Sequence, residues 1–256
     1  MTPSIAITIG CYRLPDFIEL NVVQCRKVFG EDVPILLSDD RSQESGAIEQ
    51  IARTHGCSYM CPPHRRSHTS GDLQAFINGA AFASQVGADV AVKLSQRLIP
   101  LDGIQSLLLD PFKDQDKWIV VPGQPKMLSF ARASARFFNK FTILTDVVAW
   151  RPEKVTAQML RDAYVSQCQN AKQRSDQFIE VFWGGLVQDR FKDHSVTVDE
   201  LANPPLGQPK VYMRKAQTGQ HEYHNLAATH GLKGQFEVAE WAHMEQKAYL
   251  ALAPVV

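Results

Sequence analysis

The sequence predicts an α/β fold, with a mostly parallel sheet flanked by helices. Three observations carry that expectation. Four short apolar runs of strand length alternate with three longer segments of helical spacing, giving the order βαβαβαβ up to residue 94. The intervening helices are of ordinary length, which is how parallel neighbours are joined and both sheet faces covered. A chain of 256 residues is also ample for a sizeable core.

Residues 4–9 (SIAITI) alternate and are rich in isoleucine, so they form strand one, with residues 10–13 as its exit loop. Residues 14–29 follow as a helix, with Pro15 and Asp16 suited to its start and Gly30 to its end. Residues 33–37 are strand two, closing on Ser38, Asp39 and Asp40. Residues 45–55 read as a helix stopped by Gly56, and residues 57–61 as a short third strand. Residues 62–71 are a loop holding His64, Arg65, Arg66 and His68. Residues 72–86 are a helix, with Leu73, Phe76, Ile77, Ala80 and Ala83 at helical spacing, and residues 89–94 are strand four.

Charge narrows the function classes. The 27 basic residues equal the 27 acidic ones, so bulk electrostatic binding of nucleic acid or anionic membrane is not expected. A local basic site stays open. The apolar runs are too short for an integral membrane segment. The opening MTPSIAITIG lacks a basic n-region, so no secretory signal is expected. Five cysteines, an odd count without C-x-x-C spacing, fit free and mostly buried thiols in a reducing, cytoplasmic setting. A metal held by Cys57, Cys61 and neighbouring histidines is the alternative.

Sheets of this kind bind ligands beyond the carboxyl ends of their strands. The four exits, residues 10–13, 38–41, 62–68 and 95–97, all carry polar or charged groups. A dinucleotide fold needs G-x-G-x-x-G after strand one, and this chain has G-C-Y-R-L-P; a P-loop needs G-K-S/T, which is absent. Neither a nicotinamide dinucleotide nor a Walker-bound triphosphate is expected.

Four stretches then carry a resemblance: IAITIGCYRLP, ILLSDDRS, GDLQAFINGAAFA and GADVAVKLSQRLIP. In order and spacing, over residues 4–105, they resemble the nucleotide-sugar half of GT-A glycosyltransferases of the inverting family 2. The resemblance implies one GT-A-like domain over residues 1–256, with a nucleotide-sugar-binding half (1–110) and an acceptor-binding half with a C-terminal tail (111–256). It departs from the family at one point. Where the family's strand four ends in D-x-D and holds a divalent cation, this chain reads Ser95-Gln96-Arg97. A hard cation needs oxygen ligands, preferably anionic. A guanidinium presents forked donors to phosphate and stays charged, so Arg97 or Lys93 would supply the positive charge instead. The other readings are a decayed slot, a structural salt bridge and solvated edge charges; Lys93 either points into the sheet's end or pairs with Asp89.

The donor-binding set implied by the resemblance is Gly10, Tyr12, Arg13, Asp39, Asp40, Arg65, Arg66, Lys93, Ser95 and Arg97. Asp39 and Asp40 would contact the nucleoside, or else serve as turn or cap residues. Arg65 and Arg66 would close over the diphosphate, or else form an exposed basic loop. No cofactor is expected. A divalent cation, Mn²⁺ or Mg²⁺, stays open, although its usual ligands are missing.

The second half begins with strand candidates at residues 118–121 and 141–150, and residues 127–141 stay open between helix and loop. Residues 156–168 read as a helix. In SDQFIEVFWGGL (175–186), Ser175 suits an N-cap, Asp176 the first turn, and Glu180 shares its face four residues on. Inverting GT-A enzymes place their base at such a helix start, which implies Asp176 or Glu180 as the base on the acceptor hydroxyl; capping and a solvated glutamate are the rival reading. In the tail, His221 and His224 lie three apart, as a metal pair, as donor or acceptor contacts, or with no site role. Arg214 and Lys215 are candidates for a basic loop that completes the donor site. Residues 235–252 read as an amphipathic helix that caps the domain or joins a partner subunit, so a homo-oligomer is among the expectations.

The expected function is transfer of a sugar from a nucleotide-diphosphate donor to a glycan, a lipid-linked acceptor or another hydroxyl, with inversion and without metal, as in polysaccharide biosynthesis. The rivals are a transferase-like protein that binds nucleotide or glycan without turnover, and a nucleotidyltransferase, which the missing Gly-rich phosphate loop disfavours.

Overall fold

The computed structural model describes residues 3–13, 15–66, 68–96, 98–100, 103–122, 145–170, 179–198, 201, 213–215, 236–238 and 250–252. Its centre is a seven-stranded sheet built from β1 (Ile5–Cys11), β2 (Ile35–Asp39), β3 (Ser58–Met60), β4 (Val90–Ser95), β6 (Ile119–Pro122), β7 (Val147–Trp150) and β8 (Ser195–Val198). The strand order is β3-β2-β1-β4-β7-β6-β8. The pairs β1–β2, β1–β4, β2–β3 and β6–β8 are parallel, whereas β7 runs antiparallel to both β4 and β6. The mostly parallel sheet expected from the sequence is therefore present, with one reversed strand inside it.

The inner strands β1, β2, β4, β6 and β7 are buried on both faces, so they read as apolar runs, whereas the edge strands β3 and β8 keep partly exposed residues. On one face Ile7, Ile9, Ile35, Leu37, Val90, Val92, Leu94, Val147 and Ala149 pack against α1 (Pro15–Phe29), α2 (Ser45–Thr54) and α4 (Ile104–Leu109) through Ile18, Val22, Ile48, Ile51, Ile104 and Leu108. On the other, Ala6, Leu36, Ala91, Ile119, Val121, Val148 and Trp150 meet α3 (His68–Gln85), α5 (Ala157–Asn170) and α6 (Ile179–Arg190) through Leu73, Phe76, Leu160, Phe182 and Trp183. Phe76 and Trp183 lie with ring centroids 4.6 Å apart at the centre of this second layer.

Several boundaries differ from the sequence reading. β1, β2 and β4 run through Cys11, Asp39 and Ser95, because these polar ends keep their ladder partners: Gly10 lies opposite both Ser38 and Ser95, and Cys11 opposite Asp39. α3 starts at His68 rather than residue 72. The helix expected over residues 235–252 is contradicted at both ends. Phe236–Val238 (β10) and Leu250–Leu252 (β11) pair antiparallel instead, with Phe236 opposite Leu252. Phe236 and Val238 suit a pleated surface better than a helix. A further short pair was not foreseen: β5 (Leu98–Pro100) lies antiparallel to β9 (Met213–Lys215).

Cys11 and Cys25 are buried, Cys57 and Cys61 half-buried, and all four are free thiols. Burial pushes the Cys11, Cys25 and Cys57 thiols up from their usual range, which disfavours their thiolate forms. Among the described residues no helix is long and apolar enough to cross a membrane.

Candidate functional site at the carboxyl edge of the sheet

Parallel pairing brings the exits of β1, β2, β3 and β4 to one edge. Because β7 is reversed, its amino end arrives there too: the Ser95 N–H donates to the Asp146 carbonyl at 2.7 Å. The carboxyl end of α5 and the first turn of α6 lie toward the same edge, since β7 ends, and β8 begins, at the opposite one.

The β4 exit is held by two buried carboxamides. Nδ2 of Asn21, on α1, donates to the carbonyls of Ser95 (3.2 Å), Gln96 (3.2 Å) and Leu98 (2.6 Å). Gln96 reaches across to the β1 exit. Its Nε2 donates to the Tyr12 carbonyl at 2.7 Å, and its Oε1 accepts the Tyr12 N–H at 2.5 Å. Its own N–H donates to the Gly10 carbonyl at 3.2 Å. Buried polar groups need such partners, and here each one is also a strut between neighbouring loops.

The β2 exit is organised by Asp39, which is 2% exposed. Its carboxylate accepts from the Ser42 N–H (3.1 Å), the Ser42 and Ser45 hydroxyls (2.5 Å each) and the Tyr59 hydroxyl (3.0 Å). Burial, with Cys61 and the Asp39 carboxylate beside it, pushes the Tyr59 phenol well up. Ser42 Oγ in turn accepts the Arg13 N–H at 2.9 Å. Arg13 and Arg41 both adopt left-handed backbone, at φ 60° and 57°. Such a conformation costs a non-glycine residue about 1–2 kcal/mol and is typically held in place by its surroundings. Arg13 also faces Glu44, Nε to Oε1, at 3.6 Å.

Asp40 ties the third exit to the second. It accepts the Arg66 N–H at 2.9 Å and lies 4.0 Å from Arg65 Nε. Burial raises its pKa above the usual carboxylate value, more than the Arg66 N–H and the two arginines lower it. Gly71 passes so close to this carboxylate that a Cβ there would fall 2.5 Å from it. The Arg65 guanidinium lies over the Tyr12 ring, 4.2 Å from its centroid.

The expected site residues thus fall into groups. Gly10, Tyr12, Arg13, Asp40, Arg65, Arg66 and Ser95 are brought together at one edge. Asp39 belongs there too, but its carboxylate is committed to the β2 turn. Lys93 is 1% exposed, bonded to the Asp72 carboxylate and to the Thr145 carbonyl (2.8 Å), with Phe76 at 4.8 Å. The pairing of Lys93 with Asp89 is corrected: Asp89 instead accepts from the Ser4 N–H and hydroxyl at 2.8 Å each. Glu180 lies in the first turn of α6. Arg97, Asp176, His221 and His224 lie outside the described residues. Arg214 and Lys215 fall on β9, opposite Ile99 and Leu98, just past the β4 exit. Sequence reasoning missed the roles of Asn21, Asp72 and Gln96, because each acts on a partner distant in the chain. Ser42 lay in the quoted ILLSDDRS stretch and bonds Asp39 three residues before it, but its role in the turn was not foreseen.

The described residues of the β4 exit present no carboxylate in the turn itself. The turn offers Ser95 and Gln96, and the amide of Gln96 is spent on Tyr12. Among the described residues no three His, Cys, Asp or Glu side chains gather as a metal cage.

Comparison with solved structures gives the architecture. A mannosyltransferase from Pyrobaculum calidifontis, solved with GDP-Man and Mn²⁺, superposes with TM-score 0.51 at 12% identity, over 79% of this chain and 56% of that one. The glycosyltransferase GlyE of Streptococcus pneumoniae TIGR4 does so with TM-score 0.51 at 12% identity, over 77% and 46%. This is a GT-A-like fold. A cytidylyltransferase from Leptospira borgpetersenii serovar Hardjo-bovis is also similar, with TM-score 0.44, 15% identity, and 78% and 76% coverage. No protein-family model and no curated protein matches the sequence. The present GT-A-like chain spans only about half of the two glycosyltransferases.

Proposed function

We propose that this protein is a glycosyltransferase. It moves a sugar from a nucleotide-diphosphate donor to a hydroxyl of a glycan or lipid-linked acceptor, with inversion and without a metal ion. The observation that carries the reading is the cationic rim on a GT-A-like edge: Arg13, Arg65 and Arg66 gather around the exits that also hold Tyr12 and Gly10. The mannosyltransferase of similar fold was solved in complex with GDP-Man and Mn²⁺. In this chain guanidinium groups do the corresponding electrostatic work, with Arg97 joined by Arg65 or Arg66.

The reaction is a displacement. The acceptor oxygen bonds to the anomeric carbon, the bond from that carbon to the diphosphate oxygen breaks, and Asp176 or Glu180 takes the hydroxyl proton. The nucleoside diphosphate leaves with the bonding electron pair. Arginines aimed at its oxygens stabilise the charge as it develops, and such stabilisation usually lowers the barrier more than any other effect. One base suffices for this displacement.

The rival is a transferase-like protein that holds nucleotide or glycan without turnover. The commitment of Asp39 and Lys93 to internal contacts favours it, since both were expected at the donor. A thermal-shift panel of nucleoside diphosphates and their sugars, first in EDTA and then with Mn²⁺ or Mg²⁺, separates the readings. A native-state ligand raises the melting temperature by mass action. The proposal expects a shift in EDTA that Arg97→Ala abolishes, and sugar transfer that Asp176→Asn with Glu180→Gln abolishes while binding persists. A shift that appears only with metal overturns the metal-free site. Binding without turnover across acceptors moves the reading to the rival.

A further inference from the structure

We propose that Gln96 is a positioning residue of this site, holding Tyr12 where the donor meets it; the inference rests on the donor-site reading above. Gln96 is the middle residue of Ser95-Gln96-Arg97 and is 5% exposed. Both ends of its amide bond to a single residue, donating to the Tyr12 carbonyl and accepting the Tyr12 N–H. This is what a strand partner would do, and it extends the β1–β4 ladder one residue beyond the sheet. The next residue, Arg13, turns into left-handed backbone, so the clamp acts on the last residue before a strained turn. Tyr12 in turn carries the Arg65 guanidinium on its ring, and Arg65 faces Asp40. Gln96 is itself kept in place by Asn21, whose Nδ2 bonds the carbonyls of residues 95, 96 and 98.

Two consequences separate this role from plain gap filling. The slot is over-determined rather than decayed: a disused turn has no need of two buried carboxamides. The middle position must also be neutral. A carboxylate there could accept the Tyr12 N–H, but its other oxygen would oppose the Tyr12 carbonyl, acceptor against acceptor. Gln96 therefore sets where Tyr12 and Arg65 stand without touching ligand.

The test is calorimetric titration of the full chain with UDP, GDP, CDP and ADP in EDTA. Variants are Gln96→Met, which keeps length and volume but makes neither bond, Tyr12→Ala, and the two combined. The expected result is at least tenfold weaker binding in Gln96→Met of whichever nucleotide the wild type binds. In the double variant the two losses should not add, because Gln96 acts through Tyr12. Wild-type affinity in Gln96→Met, or losses that add in full, overturns the clamp while leaving the donor site standing. If the wild type binds none of the four, the donor reading falls, and the clamp falls with it. Should Gln96→Met fail to fold, Gln96→Glu, which loses only the donated bond, is expected to weaken binding in the same direction; unchanged affinity there overturns the inference equally.

Discussion

Lys93 on β4 donates its buried ammonium to the Asp72 carboxylate on α3, directly beneath the carboxyl edge. The pair lies under Gly10, where a Cβ would come within 3.5 Å of Lys93 Cε and 3.7 Å of Asp72 Oδ1. Lys93 also holds the Thr145 carbonyl, so one cation joins β4, α3 and the start of β7.

Breaking that pair from one side leaves a buried charge without its partner. Asp72→Ala is expected to lower unfolding free energy by about 3–5 kcal/mol. The double variant Asp72→Leu with Lys93→Met is expected to regain most of it, since apolar side chains of similar volume often replace buried pairs without loss. Urea unfolding at neutral pH reads both; a cost below about 1 kcal/mol in Asp72→Ala would show that the pair contributes little.

Asp39 is expected to behave as a structural residue. Asp39→Ala strips the acceptor from the Tyr59 hydroxyl, the Ser42 N–H and two serine hydroxyls, and should cost about 2–3 kcal/mol. Thermal unfolding checks it. A melting temperature equal to that of the wild type would return the carboxylate to the ligand.

These two residues show where sequence reading stops. β1, β2 and β4 were legible because doubly buried parallel strands are apolar runs, and the helices between them carry a plain apolar periodicity; β3, an exposed edge strand, was placed by its position between two helices. The strand ends were not legible. Gly10, Ser38, Asp39 and Ser95 read as loop, yet all four keep ladder partners. The exits were rightly taken as one edge, and Tyr12, Arg65 and Arg66 do meet there. The partners of Lys93 and Gln96 lie 21 and 84 residues away, at separations that local spacing does not report. The tail misled for a related reason: Phe236, Val238 and Leu252 fit a helical stripe and a β-ladder equally well until pairing decides.

Two carboxylates should tilt acid stability in opposite directions. Burial raises the Asp40 pKa, so the native state binds its proton before the unfolded chain does. Its contribution is fully present below the unfolded value and is lost as pH rises through the native one. Asp89 is lowered by the Ser4 N–H and hydroxyl, so its contribution is present above the unfolded value and lost as pH falls through the native one. Urea unfolding across the acid range should therefore show Asp40→Asn gaining on the wild type as pH rises through its window, and Asp89→Asn losing ground. Equal slopes for both variants would refute the assignment.

Two helical glycines should respond with opposite signs. A Cβ at Gly79 would lie 2.9 Å from Thr8 Oγ1 and 3.2 Å from Thr8 Cβ, whereas one at Gly185 meets nothing within 4 Å. Gly185→Ala is expected to stabilise by about 0.5–1 kcal/mol through helix propensity. In Gly79→Ala the same gain is outweighed by an overpacking cost of about 1–3 kcal/mol. Paired thermal melts decide it, and stabilisation by both would mean that α3 can step back from β1 at little cost.

α3 touches the site's framework at every level. Asn78 donates to Ser38 on β2 at 3.0 Å, Asp72 binds Lys93 on β4, Gly71 lies against Asp40, and Ser70 bonds Tyr164 on α5 at 2.8 Å. One helix thereby acts as the jig that spaces several loops. A saturation-mutagenesis screen scored on ligand capture should consequently return α3 positions among its strongest hits, and those hits will map the jig rather than the footprint of the ligand.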